Sequence, residues 1–235
     1  MAQPWKTIES IATAEGVLEL RQRSERDFII TIGSQVLMNS LANRSEVALG
    51  ELGCRHLEGI ETPRVLVGGL GMGFTLKAAL DTLPKAAQVF VAELNPIVHE
   101  WCRGPLAALT DNAVSDPRVT VEIGDVAHRI RRSAVDGGES RFDAIVLDLY
   151  RGPHAKTHHS DDPLYGSRAI ENMRAALKPC RAVAVWSENY DEGFDKRLQS
   201  AGFTVTTDRP GRGGLRHVVF LAQLKQSKKS GKHAS

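Results

Sequence analysis

A chain of 235 residues, 42% hydrophobic and 25% charged, has the composition of an ordinary globular protein and is long enough for one substantial core. Its formal net charge of +2 argues for no nucleic-acid partner, and no run approaches the roughly 18 continuous apolar residues of a membrane span. The first residues lack a signal-peptide pattern, and three scattered cysteines without a C-x-x-C suit free thiols in a reducing compartment, so a cytoplasmic protein is expected.

The first predicted elements are strands. Residues 17–21 alternate, 28–32 are rich in β-formers, and Gly33-Ser34 offers a turn before 35–38. This is a small antiparallel meander, a leader over residues 1–42. It suits three roles: covering a sheet edge, pairing with another subunit, or walling a substrate pocket. From Ser45 to about Leu57 the period becomes helical, with Ser45 as cap and Val47, Leu49, Leu52 and Leu57 as the apolar face. Glu51 is the one acid in the middle of that helix.

Strand and helix patterns then alternate. Strands are expected over 65–68, 88–93, 119–123, 142–148 and 182–186. Helices are expected over 74–83, 96–109 (interrupted by Gly104-Pro105), 126–132, 164–177 and 192–201. Segments 203–207 and 216–224 read as a closing antiparallel pair around Gly211-Arg212-Gly213-Gly214. Repeated βα units predict an α/β, Rossmann-like domain over 43–224, with a mostly parallel sheet, helices on both faces and an antiparallel last strand. Residues 225–235 are cationic without apolar anchors and read as a disordered basic tail.

In such sheets ligands sit outside the carboxyl ends of the strands. The 65–68 strand ends in Gly69-Leu70-Gly71-Met72-Gly73, whose glycines permit a tight turn and close approach to a ligand. Glu93 falls 20 residues after Gly73, where an acid accepts hydrogen bonds from ribose hydroxyls. Gly124-Asp125 and Asp148 end two further strands. Three acids in order after a glycine turn predict a nucleoside site.

The G-x-G-x-G spacing, Glu93 and Gly124-Asp125 together resemble the class I S-adenosylmethionine-dependent transferases. Within them the chain looks like the spermidine-synthase, or polyamine aminopropyltransferase, group. The resembling segments are 64–79, 90–96, 116–125, 142–148 and 164–179. With the strand-rich leader, the resemblance spans roughly residues 17 to 224. Gly69–Leu76 and 101–106 look more closely like a subgroup of short spermidine-synthase-like bacterial proteins.

The resemblance implies a Rossmann-like class I methyltransferase fold and a set of roles. Gly69, Leu70, Gly71, Met72 and Gly73 would run beside the sulfonium end of the donor, Glu93 would hold its ribose, and Asp125 its adenine amino group. Asp148 matches the first aspartate of the family's D-S-T-D motif, near the reacting amine. The implied chemistry is a direct displacement, in which a neutral amine attacks a carbon activated by positive sulfur. Decarboxylated S-adenosylmethionine would be the donor, a polyamine the acceptor and methylthioadenosine the product, with no metal. A homodimer is implied as well.

Three positions depart from the family. Met72 stands where its glycine turn carries an aspartate. Arg151 stands where the second D-S-T-D aspartate deprotonates the amine. The Tyr-His-Glu signature of the preceding helix appears as Leu49-Gly50-Glu51, so only the acid remains. Two unit charges about 5 Å apart at an effective dielectric near 20 interact by roughly 3 kcal/mol. Exchanging attraction for repulsion therefore costs about 6 kcal/mol if Arg151 points inward.

Glu51, Tyr150, Arg151, Asp161, Asp162 and Glu188 are the candidate substrate-binding residues, with Asp161 or Asp162 as a displaced carboxylate. The long loop 152–162 reads as a polar lid or a plain loop; its His154, His158, His159, Asp161 and Asp162 could also be read as metal ligands, against which stands that no rigid element fixes their spacing. Arg151 would also suit a carboxylate, which points to intact S-adenosylmethionine and a methyltransferase. A nucleoside-binding relative without turnover is the third reading.

Overall fold

The computed structural model describes residues 3–157, 159–210 and 217–225. His158, the expected 211–214 turn, Arg216 and the basic tail beyond Lys225 lie outside the described residues.

The leader is a four-stranded antiparallel meander, β1 (Lys6–Thr13), β2 (Gly16–Ser24), β3 (Asp27–Ile32) and β4 (Gln35–Asn39), paired in that order. Strand β1 was not legible in the sequence. Its residues are exposed along almost the whole strand, so no face carries the alternation that marks a half-buried strand. By contrast β2 and β3 turn Leu18, Leu20, Phe28 and Ile30 into the core.

Helix α1 (Arg44–Arg55) follows. Its N-cap is Asn43 rather than Ser45, and the Asn43 side chain makes no bond to the first helical amides, donating instead to the Ser40 carbonyl (3.2 Å). Its buried face is Ser45, Glu46, Leu49, Gly50, Gly53 and Cys54, a narrower and smaller-featured face than the leucine pattern predicts. A side chain at Gly50 would collide with the Thr75 carbonyl on α2 (Phe74–Thr82), and one at Gly53 with Val146. These two glycines let α1 lie directly on its neighbours.

The main sheet has seven strands. The parallel ones are β5 (Arg64–Gly68), β6 (Gln88–Glu93), β7 (Val119–Ile123), β8 (Phe142–Leu147) and β9 (Leu177–Ser187). The sheet closes with β10 (Phe203–Asp208) and β11 (Val218–Leu224), in the order β10-β11-β9-β8-β5-β6-β7. As expected, β11 is the antiparallel strand. It is inserted between β9 and β10. Central strands β5 and β8 are buried on both faces, which is why they read as continuous apolar runs. The long β9 begins at Leu177, not near 182, so the chain turns from helix to strand before Pro179.

The alternating residues of the sheet feed two cores. Val65, Val67, Val89, Val91 and Val146 face α1, α2, α3 (Pro96–Arg103) and the leader. Leu66, Ile145, Leu147, Val183 and Val185 face α4 (Val126–Asp136), α5 (Ser167–Ala176) and α6 (Glu192–Ser200). The leader is pinned to the first layer by a hydrogen bond from Trp101 Nε1–H to Glu9 (2.8 Å) and one from Arg26 to the Ala108 carbonyl (3.1 Å). No helix among the described residues is long and apolar enough to cross a membrane.

Candidate active site

The strands end in step. Gly68 lies opposite Ala92 and Leu147, and Glu93 lies opposite Ile123. One residue past that line come Gly69, Glu93 and Asp148, with Gly124-Asp125 beside them. Strand order reverses at β5, with β6 on one side and β8 on the other, which is where an open α/β sheet leaves a crevice for a ligand. A cleft of about 340 Å³ opens there, within the usual size of small-molecule sites. Gly69, Gly71, Glu93, Asp125, Asp148, Tyr150 and Arg151 all line it.

The glycine turn is close-packed. Gly69 and Gly71 both take positive φ (85° and 52°), where a side chain is strained. A Cβ on Gly69 would strike the Asp148 carbonyl oxygen, and one on Gly71 would strike the Met38 sulfur. The first contact locks the turn to the end of β8, and the second brings the leader over it. Of the three roles open to the leader, the structure gives it the wall: Glu15, Leu18, Ile30, Leu37 and Met38 line the cleft.

Glu93 is buried beneath the turn. Its Oε2 accepts from the Leu70 N–H (2.9 Å) and its Oε1 from the Asn95 N–H (2.8 Å). Burial pushes its carboxyl above the ordinary value, and the surrounding backbone amides pull the other way. Each oxygen keeps acceptor capacity for a ligand hydroxyl. Asp125 is exposed at the N-terminus of α4, which it caps by accepting from the Ala127 N–H (2.8 Å).

Asp148 has a different surrounding. Its Oδ2 lies 2.5 Å from the Thr75 hydroxyl, which is also 3.1 Å from the Glu46 carbonyl oxygen. Burial, and then the negative charge of Glu46, raise its carboxyl from 3.8 to about 7, against the Thr75 hydrogen bond. Thr75 has one proton for two acceptors. A neutral Asp148 resolves this, since its own O–H donates to Thr75 while Thr75 donates to Glu46. An ionised Asp148 takes the Thr75 proton and leaves the carbonyl without it.

Glu46 itself accepts from the Ser45 hydroxyl (2.6 Å), and Ser45 Oγ lies 2.9 Å from His217 Nδ1. His217 meets the Trp186 ring edge-on at 4.8 Å, and the buried Trp186 Nε1–H has no partner among the described residues.

Several expected site residues lie elsewhere. Glu51 is on the outer side of α1, exposed in a surface groove with Arg55 and Lys77. At about 100° per residue, five positions separate Glu51 from Glu46 by roughly 140° around the helix, so only Glu46 turns inward. The Leu70 and Met72 side chains are buried in the apolar core and do not line the cleft, nor does Gly73, the N-cap of α2. The Met72 thioether is therefore not offered to a ligand. Asp161 and Glu188 are exposed and outside the cleft lining. Asp162 is a turn residue, its Oδ1 accepting from the Leu164 and Tyr165 amides (3.0 and 2.7 Å). No displaced carboxylate reaches the cleft from this loop.

Arg151 does line it, with its guanidinium 5.0 Å from the centre of the Tyr150 ring. Two bonds hold this stretch. The Tyr165 hydroxyl donates to the Arg151 carbonyl (2.8 Å), and the Tyr150 hydroxyl donates to Glu15 of the leader (3.1 Å). Among the described residues, no group of three or more histidine, cysteine or acidic side chains is gathered to hold a metal ion.

The fold has solved counterparts. A spermidine synthase from Thermotoga maritima superposes with a TM-score of 0.74 over 94% of this chain and 74% of that one, at 17% identity. The fold is that of the spermidine synthases. A second such structure, a spermidine synthase in complex with the transition state analogue AdoDATO, gives 0.73 over 94% and 73% at 16% identity. No protein-family model and no curated protein matches the sequence.

Proposed function

We propose that the protein is a transferase that binds an adenosyl sulfonium donor in this cleft and moves an alkyl group from it to an amine. The observation that carries the reading is the convergence of the glycine turn, Glu93, Asp125 and Asp148 at four adjacent strand ends. Glu93 takes the ribose hydroxyls, Asp125 the adenine amino group, and the Gly69–Gly71 backbone lies beside the sulfur. The carboxylates favour the cationic donor and hold an amine next to it. The hydrophobic leader wall excludes water, which strengthens each of these interactions. Asp148, near neutrality in its acidity, accepts the proton that the amine sheds as its nitrogen attacks.

Two forms of the reaction fit. Aminopropyl transfer from decarboxylated S-adenosylmethionine to a polyamine, yielding methylthioadenosine, is favoured by the likeness to spermidine synthases, one of them bound to AdoDATO. Methyl transfer from intact S-adenosylmethionine is favoured by Arg151 in the cleft wall. A homodimer and a cytoplasmic location, consistent with the free Cys54, Cys102 and Cys180 thiols, belong to the same reading.

Calorimetry tests it. Methylthioadenosine is expected to bind the wild type, and Glu93→Ala to weaken that binding by at least tenfold. Unchanged affinity would take the ribose role from Glu93. Binding without product from putrescine, spermidine or other amines would leave a nucleoside-binding protein in place of an enzyme.

A further inference from the structure

Among the described residues, four carboxylates line the cleft, those of Glu15, Glu93, Asp125 and Asp148, against a single cation, Arg151. Glu15 holds the Tyr150 hydroxyl, Glu93 the two backbone amides, Asp125 the helix terminus and Asp148 the Thr75 hydroxyl. None of them pairs with Arg151. Among the described residues its guanidinium meets only the Tyr150 ring. Arg151 is exposed, and its guanidinium offers the planar fork of N–H donors that suits a carboxylate. Among the described residues, the cleft therefore holds an exposed positive charge with no carboxylate paired to it.

An adenosyl sulfonium compound is positive at sulfur and at its amine. Its one anionic group is the carboxylate of the amino-acid chain, present in the intact compound and absent from the decarboxylated one. Resting on the reading that the cleft takes such a compound, we infer that Arg151 is a specificity-determining residue that binds the donor carboxylate and selects intact S-adenosylmethionine over its decarboxylated form. A decarboxylated donor would bring two positive charges towards Arg151 and nothing to neutralise it.

The choice of donor decides what is moved. When the amine nitrogen attacks the methyl carbon, an N–C bond forms and the C–S bond breaks. The electron pair stays on sulfur as a neutral thioether, S-adenosylhomocysteine, and the amine proton passes to Asp148 or water. Attack at the carbon of the amino-acid chain that is bonded to sulfur balances in the same way, moving an aminocarboxypropyl group and leaving methylthioadenosine. Aminopropyl transfer has no donor in either case.

The test is the affinity of wild type and Arg151→Gln for S-adenosylmethionine, its decarboxylated form and methylthioadenosine. The expected result is at least a tenfold preference of the wild type for the intact donor, most of it lost in Arg151→Gln. Methylthioadenosine lacks the amino-acid chain and is expected to bind both proteins alike, which also reports that the variant is folded. Equal affinities, a preference for the decarboxylated donor, or a preference that survives in Arg151→Gln would overturn the inference while leaving the nucleoside site in place. Failure of the wild type to bind any of the three would instead overturn the proposed function together with it.

Discussion

Asp143 and Asp148 lie five residues apart on one stretch of chain, at opposite ends of β8, and show what separates a carboxylate paired within the fold from one left without a cation. Asp143 is buried at the start of the strand. It accepts from the Arg64 N–H (2.9 Å), Lys178 Nζ (2.8 Å) and Arg181 Nε (3.1 Å). Burial alone would raise its carboxyl, but the Arg64 amide and the two cations outweigh that and hold it below the ordinary value. Asp148, at the other end, has no cation among the described residues and a second carboxylate nearby, and it is pushed up to about 7. The fold supplies one aspartate with everything its charge needs. The other is left for a ligand to complete, which is the pattern of a functional site.

Replacing each in turn sharpens the contrast. Asp148→Asn is expected to slow amine alkylation by roughly two to four orders of magnitude, the range for loss of a positioned proton acceptor. Its melting temperature should stay the same or rise, because a carboxylate facing Glu46 has been neutralised. Turnover at the wild-type rate would remove Asp148 from the reaction. Asp143→Ala should do the opposite. Stripping one partner from a buried ion pair costs about 3–5 kcal/mol, and the 30% and 28% exposure of the Lys178 and Arg181 side chains puts the expected loss near about 2–3 kcal/mol. In a chain of this size that is a melting point lower by roughly 5–10 °C, read by thermal unfolding, with methylthioadenosine affinity retained. Equal stability of the two variants would collapse the distinction.

The acids that end strands were legible because strand ends are fixed by the chain itself. Once 88–93 and 142–148 read as buried parallel strands, Glu93 and Asp148 had to emerge at the ligand-binding edge. Gly69 and Gly71 were legible for a related reason, since a turn that tight leaves little choice of residue. What did not show was anything that depends on the rotation of one element against another. Glu46 and Glu51 are both glutamates of the same helix, and only the packing of α1 through Gly50 and Gly53 decides that Glu46 faces Asp148. Thr75 was hidden in the first turn of a helix. Met38 and Glu15, more than 30 residues before the glycine turn, carry no local sign that a meander will fold back over it. Ser45 looked like a cap because serine usually is one before a helix. Here its hydroxyl is committed to Glu46, which a sequence pattern does not record.

The finest separation between the two aspartates is in their response to pH. An aspartate in the unfolded chain releases its proton near about 3.9. Asp143, depressed in the folded state, contributes stability that is present above that value and lost as pH falls through its lower folded pKa. Asp148 has the opposite sign. Between roughly 4 and about 7 the folded protein keeps a proton that the unfolded chain has given up, so stability declines as pH rises through that window and levels off above it. The decline is at most about 4 kcal/mol, and Asp148→Asn should flatten it in urea unfolding at pH 5 and pH 8.

In the proposed reaction the same ionisation sets the rate, because only a deprotonated Asp148 can take the amine proton; the rate should climb with pH through about 7. Thr75 tunes that limb. Its hydroxyl favours the ionised form, so Thr75→Val should move the limb to higher pH by less than about one unit, and Thr75→Ser should return it. A limb that stays in place in Thr75→Val would mean that the Thr75 proton rests on the Glu46 carbonyl in the working enzyme, and that burial and Glu46 alone hold Asp148 near neutrality.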